Sequence, residues 1–332
     1  MGSVLVLHRG AVGRDVRGAL LPVNRAAAIA LVWLCACSDA PAPLRLADGR
    51  VIDSATLERG RDAYRLYCQS CHGERGDGRG PAAPGQRPPP RDFTQAQFKF
   101  GGVAAGELPV DEALLRTVRR GLQGTAMQGW DLPEEDRAAV IQYLKTFSPR
   151  WRDEPPGTPI EPDGADPWQG REAEAVAKGR AVYHVMAKDH AGCSSCHPAY
   201  LTRAELADLT ESVTGVRPTA FARDLHHGRL RDTEYGVKAI APDFLLQPLK
   251  TIGPVTAEYS REAQRRDLYR VIAAGVGGTA MPQWKGALPE ENLWALAYYV
   301  QSLIDLRGTP AALTWREKLD ADDRLAVSAG TP

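Results

Sequence analysis

Hydrophobic residues recur along this chain at helical spacing, and strand-like alternation is nearly absent. Ala55 to Cys71 reads as a first helix. Val110 to Gly121 reads as a second, with Asp111 in its first turn and Gly121 at its stop. Pro133 to Phe147 reads as a third, with Pro at its start. Glu134, Glu135 and Asp136 fall where the helix dipole favours negative charge. The second half repeats these three segments, so the pattern predicts an all-α protein.

The repetition extends to individual residues. Leu114 to Met127 aligns with Leu268 to Met281 without a gap, ending in Gly-Thr-Ala-Met in both copies. Trp130 then matches Trp284. Leu132-Pro133-Glu134-Glu135 matches Leu288-Pro289-Glu290-Glu291 after a two-residue insertion. Upstream, Gly60-Arg61 and Tyr64 match Gly179-Arg180 and Tyr183. Asp92-Phe93 and Lys99 match Asp243-Phe244 and Lys250. Anchors in one order in both halves predict two homologous domains. Between them, Pro149 to Pro167 is rich in proline and poor in apolar residues, as in an extended, semi-rigid spacer. Residues 307–332 read as a polar tail with one short helix from Thr314 to Leu325.

Each half contains Cys-x-x-Cys-His: Cys68, Cys71 and His72, then Cys193, Cys196 and His197. This spacing is that of a c-type haem attachment site. Two thiols form thioethers to the vinyl groups, and the adjacent His is held beneath the iron. The sixth ligand then decides the chemistry, because an open iron reacts with oxygen or peroxide and a closed one exchanges electrons. Met127 and Met281 hold the same repeat position, 55 and 84 residues after their His, on loop-forming sequence. They are the candidate sixth ligands; the alternative is that they fill the core, the usual role of Met. Zinc binding and thiol redox chemistry fit less well, because the Cys pairs lie in separate repeats and each is followed by His.

With Gly-x-x-x-Tyr ahead of the motif, a Met loop after it and a closing amphipathic helix, each half resembles a class I cytochrome c. The resemblance covers about 55–150 and 173–306. It implies two tandem class I cytochrome c-like domains, each an α-helical fold wrapped around one covalently bound haem c. The implied axial pairs are His72/Met127 and His197/Met281. Three departures stand out. Pro198 replaces the Gly73 that follows the His, and Gln128 replaces the proline found at Pro282. The second copy also carries 29 extra residues between His and Met, 26 of them before Asp243. Trp130 and Trp284 follow the Met positions and are candidates either for contact with a haem propionate or for walling the pocket. Arg91, Lys99 and Lys250 are candidates to offset propionate charge or to be solvated. His226 and His227 lie in the extra segment, either as alternative ligands or as plain loop histidines. His184 and His190 sit too close to the motif for ligation.

The N-terminus carries a separate signal. Arg9, Arg14, Arg17 and Arg25 precede an apolar run from Ala26 to Cys35, too short to span a bilayer and suited to a signal peptide. Leu34-Cys35-Ala36-Cys37 resembles a bacterial lipobox, which makes Cys37 the lipid anchor; the alternative is ordinary cleavage near Ala40 or Ala42. The expected organisation is therefore a signal peptide at 1–36, a lipid-anchored linker at 37–54 and a first domain at 55–150. A Pro-rich linker at 151–172 and a second domain at 173–306, with an insertion at about 198–242, precede the tail at 307–332. Of six Cys, four would bind haem, one the lipid, and Cys35 would leave with the signal.

Formal net charge is zero, which offers nothing to nucleic acid. These readings converge on a periplasmic, membrane-tethered dihaem electron carrier. It would pass single electrons from a respiratory dehydrogenase or quinol-oxidising complex to a downstream acceptor. The alternatives are an enzyme resembling the dihaem peroxidases, or a fixed haem subunit of a larger oxidoreductase.

Overall fold

The structure, a computed structural model, describes residues 40–185 and 192–328. Cys37, the apolar N-terminal run, Met186 and His190 lie outside the described residues. A short antiparallel hairpin, β1 (Leu44–Arg45) with β2 (Val51–Ile52), opens the first half. It contributes buried Leu44 and Leu46 to the first core.

Helix α1 spans Ser54–Tyr67 and is capped by Asp53, whose carboxylate accepts from the Thr56 N–H at 2.7 Å. The helix expected to run to Cys71 breaks at Cys68, where φ moves to −117°. A single turn, α2 (Gln69–His72), restarts beyond it, with the His72 N–H donating to the Cys68 carbonyl at 2.9 Å. Helix α3 (Asp111–Arg120) ends at Gly121, whose φ of +68° suits glycine. Helix α4 (Glu134–Leu144) tightens into a 3-10 turn at Lys145–Phe147, so the third predicted helix has its expected extent in two geometries. Lys145 is fully buried, and its ammonium pairs with Asp111 at 2.6 Å, fastening α3 to the end of α4.

The proline-rich spacer is fastened down along its length. It opens with helix α5 (Arg150–Asp153), whose Trp151 is buried in the first core. The Gly157 and Ile160 N–H groups donate to the Leu108 and Gly102 carbonyls. Further on, Glu161 pairs with Arg270, and Asp163 with Lys285.

The second half carries helix α6 (Glu172–His184), a 3-10 turn at Cys193–Ser195 and helix α7 (Arg203–Thr214). The antiparallel hairpin of β3 (Leu230–Arg231) and β4 (Ala239–Ile240) follows. Helices α8 (Arg261–Ala274), α9 (Glu290–Leu306) and α10 (Pro310–Ser328) complete it. The tail departs from expectation. Helix α10 is longer than the predicted segment, and Ala312 and Leu319 are fully buried in the second core. Its charged residues also find partners: Asp322 with Arg203 at 2.7 Å, Asp323 with His226 at 2.8 Å, and Arg316 with Asp243 at 3.3 Å.

In both halves the first long helix crosses the helix that follows the Met loop at a glycine. A Cβ added at Gly60 would collide with the Ala139 carbonyl of α4, and one at Gly179 with the Ala295 carbonyl of α9. The described residues of the two halves belong to one compact unit. Their seam has an internal two-fold character: the Gln123 N–H donates to the Lys250 carbonyl at 2.7 Å, and the Gly277 N–H to the Lys99 carbonyl at 2.9 Å. Gln123 and Gly277 are repeat equivalents, as are Lys99 and Lys250, so one contact is made twice. Beside it, Arg120 of α3 pairs with Asp267 of α8 at 2.6 Å.

Candidate functional site

Cys68 and Cys71 sit at the junction of α1 and α2, and His72 closes that turn. Tyr64, one helical turn before Cys68, is buried and donates its hydroxyl to the Gly73 carbonyl at 2.6 Å. This bond pins the backbone just past the His. The His72 ring stacks on Phe93, with centroids 4.4 Å apart and planes 20° off parallel. Its Nδ1 faces the Arg91 carbonyl at 3.0 Å. A carbonyl only accepts, so Nδ1 carries the proton and Nε2 keeps its lone pair, as a metal-ligating imidazole requires.

The second motif reproduces this frame with different residues. The Tyr183 hydroxyl donates to the Pro198 carbonyl at 2.9 Å. His197 stacks on Phe244 at 5.1 Å and 30°, and its Nδ1 faces the Pro242 carbonyl at 3.4 Å. Pro198, standing where the first copy has Gly73, keeps the carbonyl that accepts from the tyrosine but gives up the Gly73 N–H bond to the Gln69 carbonyl. Further along, the Gly80 N–H donates to the Cys71 carbonyl at 3.2 Å, and the Arg229 N–H to the Cys196 carbonyl at 3.0 Å. This match places most of the second copy's extra length between Pro198 and Arg229. There α7 and buried Ala199, Leu201, Leu206 and Leu225 form a small core of their own.

The two Met loops superpose bond for bond. The Thr125 hydroxyl donates to the Leu122 carbonyl at 2.7 Å and accepts from the Met127 N–H at 3.1 Å. The Thr279 hydroxyl does the same with Val276 and Met281 at 2.7 and 3.2 Å. Gly124 and Gly278 both turn at φ +65°. The Leu122 N–H donates to the Met127 carbonyl, and the Val276 N–H to the Met281 carbonyl, closing each loop. Gly-Thr-Ala-Met is thus a stapled turn, and both methionines are half-buried on it. The threonine staple was missed in the sequence, although the repeated Thr marked it.

Burial sets the charge states. It lowers the basicity of His72 and His197, keeping both neutral. It raises the Cys68 and Cys193 thiols to about 12. Reactive or redox-active thiols are instead tuned downward, so these two lack the character of a thiolate redox pair. None of the four described cysteines is joined in a disulfide. A neutral His with a free Nε2 beside a thiol pair fits covalent attachment and axial ligation of haem.

The remaining candidates separate clearly. Trp130 is exposed and meets Tyr67 edge-on at 5.5 Å, whereas Trp284 packs against the second core. Arg91 and Lys99 lie at the seam, with burial lowering the basicity of both, and neither forms an ion pair among the described residues. Lys250 lies across the seam, donating weakly to the Gly124 carbonyl at 3.4 Å. His184 has both ring nitrogens engaged, Nδ1 by the Arg180 carbonyl and Nε2 by the Tyr200 N–H. His226 is fully buried, with Nδ1 against Asp323 at 2.8 Å and Nε2 against the Leu201 carbonyl at 2.9 Å, so both ring nitrogens are engaged. Exposed His227 faces Asp323 at 3.4 Å. His226, Asp322 and Asp323 cluster as metal ligands do, but Arg203 already supplies the cation at 2.7 and 2.9 Å.

Residues 55–144 match the family described as Cytochrome C oxidase, cbb3-type, subunit III. No curated protein matches. One solved structure is similar at 26% identity and a TM-score of 0.56, over 74% of this chain and 96% of that one. It is a chain of the Kuenenia stuttgartiensis reducing HAO-like protein complex Kustc0457/Kustc0458. The chain therefore carries a c-type cytochrome domain, which implies covalently bound haem c and points to electron transfer.

Proposed function

We propose that this protein is a dihaem c-type cytochrome that transfers single electrons between redox proteins. One observation carries the count of two. The second motif keeps the tyrosine bond to the carbonyl after the His and the carbonyl behind the His ring, while exchanging Gly73 for Pro198 and Arg91 for Pro242. Side chains change and the frame persists, as selection for the same bound group would produce.

Covalent haem, when bound, supplies one-electron chemistry at its iron. Cys68, Cys71, Cys193 and Cys196 would hold it by thioethers. His72 and His197 would ligate through Nε2, their rings fixed by a carbonyl behind and a phenylalanine alongside. Met127 and Met281 would supply the second ligand of each iron from loops fastened by threonine staples. Closed coordination favours outer-sphere transfer over peroxide chemistry, and His226 supplies no alternative ligand. A place as a fixed subunit of a larger oxidoreductase is the second reading, favoured by the similarity to a chain from a reducing HAO-like protein complex. Among the described residues no helix is long and apolar enough to cross a membrane. Membrane tethering in the periplasm would rest on the lipobox at Cys37.

The electronic spectrum of the purified ferric protein is the test. Two His/Met centres give low-spin spectra with the weak charge-transfer band of an iron–thioether bond. Met127→Ala and Met281→Ala should each remove about half of that band. A high-spin centre in the unaltered protein, or reduction of added peroxide, would sink the carrier reading.

A further inference from the structure

Hairpin β3–β4 stands where the first half has its Pro-rich run at 81–90, and its turn carries Tyr235, which has no counterpart there. Tyr235 reaches across the seam. The Arg91 guanidinium stacks over its ring at 3.8 Å, and the Lys99 ammonium lies 5.0 Å from the ring centre. On its other side, the Tyr235 hydroxyl donates to the Gly277 carbonyl at 2.9 Å, inside the loop that carries Met281. The neighbouring Glu234 N–H donates to the Gly278 carbonyl at 3.0 Å. A Cβ at Gly278 would lie 2.7 Å from the Tyr235 ring, so the ring rests on the loop backbone itself. The Gly277 N–H is meanwhile spent on the Lys99 carbonyl at 2.9 Å.

Both polar groups of Gly277 are therefore held from outside the loop. The two-fold equivalent, Gln123, shares only the N–H bond, to the Lys250 carbonyl. Arg91 is also the residue whose carbonyl orients His72. A single side chain thus touches the residue behind the first-half histidine and the loop of the second-half methionine.

We propose that Tyr235 is a positioning residue that clamps the Met281 loop against the first half, making the second iron–thioether bond the more firmly held of the two. The inference rests on the dihaem reading. A ring in contact with both a cation of the first half and the loop backbone resists displacement of that loop. A methionine on a stiffer loop leaves the iron less readily, because dissociation requires the loop to move.

The test uses the full-length holoprotein and its Tyr235→Phe and Tyr235→Ala variants. In urea titrations of the ferric protein, about half of the iron–thioether absorption should disappear at lower denaturant in the variants, the other half keeping its unaltered midpoint. Combining each variant with Met127→Ala isolates the second centre and should show the whole remaining band shifted. Amide hydrogen exchange gives a readout independent of the iron. Residues 276–281 should exchange faster in both variants, more in Ala than in Phe, with 122–127 unchanged. Equal acceleration of both loops, or of neither, overturns the proposal. Absence of an iron–thioether band in the unaltered protein would instead overturn the dihaem His/Met reading, while the exchange data still judge the clamp.

Discussion

Burial and hydrogen bonding together fix a proton count at His184. The ring is buried, donates to the Arg180 carbonyl and accepts from the Tyr200 N–H, and burial pulls its pKa down to about 4. A histidine in the unfolded chain titrates near 6.5. Between those values the unfolded chain binds more protons than the folded one. Stability from this group is therefore complete above about 6.5 and drains away as pH falls toward about 4. Glutamine can keep both hydrogen bonds without titrating. His184→Gln should flatten the decline of the urea midpoint across that acid window, and an unchanged slope would locate the sensitivity elsewhere. The paired motifs teach a related lesson at this scale. Cys-x-x-Cys-His was legible because the spacing is dictated by the chemistry of attachment. The carbonyls of Arg91 and Pro242 were not legible, because any residue supplies a carbonyl and only folding brings one to a ring nitrogen.

Helix positions were readable from periodicity, and the caps at Asp53, Gly121 and Pro133 explain why. Crossing points were not, since a glycine in a helix looks like a defect until the neighbouring helix is present. Gly60→Ala and Gly179→Ala would drive a methyl into the Ala139 and Ala295 carbonyls, and each should cost about 1–3 kcal/mol in chemical denaturation. A smaller loss would mean that the helices separate easily. Helix α10 is the largest surprise among the elements. Its Arg316, Asp322 and Asp323 suggest a solvated tail, yet they pair with Asp243, Arg203 and His226 inside the second half. Charge in a sequence signals exposure only on average, because a partner elsewhere in the chain can neutralise it. Leu319 is fully buried there, so Leu319→Ala should destabilise the second half by about 2–5 kcal/mol. A loss below about 1 kcal/mol would mean α10 is only loosely docked.

Across the whole molecule, the seam makes two similar halves into one unit. Asp267 is its ionic centre, buried between Arg120 of the first half at 2.6 Å and Arg270 at 2.9 Å, with the Tyr259 hydroxyl donating at 2.9 Å. Arg120 also stacks over Tyr259 at 4.4 Å. Removing Asp267 leaves Arg120 without its carboxylate while Arg270 keeps Glu161, at a cost of about 1–3 kcal/mol. Asp267→Ala should split calorimetric unfolding into two transitions, one for each half. A single transition at the original temperature would show that the backbone contacts at Lys99 and Lys250 suffice.

Local chemistry and periodicity, by themselves, determined the paired Cys-x-x-Cys-His motifs, the repeat, the helices and the loops that carry Met127 and Met281. These depend on residues close in sequence or on a covalent spacing, and such information survives in a linear string. Tertiary structure alone decided the ring acceptors behind His72 and His197, the docking of α10 and the reach of Tyr235 across the seam. Each of these is a contact between segments far apart in the chain, made through backbone atoms or charge pairs that leave no periodic trace. The second copy's extra length shows the division best. The sequence located it, but only the fold revealed that it forms a small core of its own, while the hairpin beyond it holds a loop of the second half against the first.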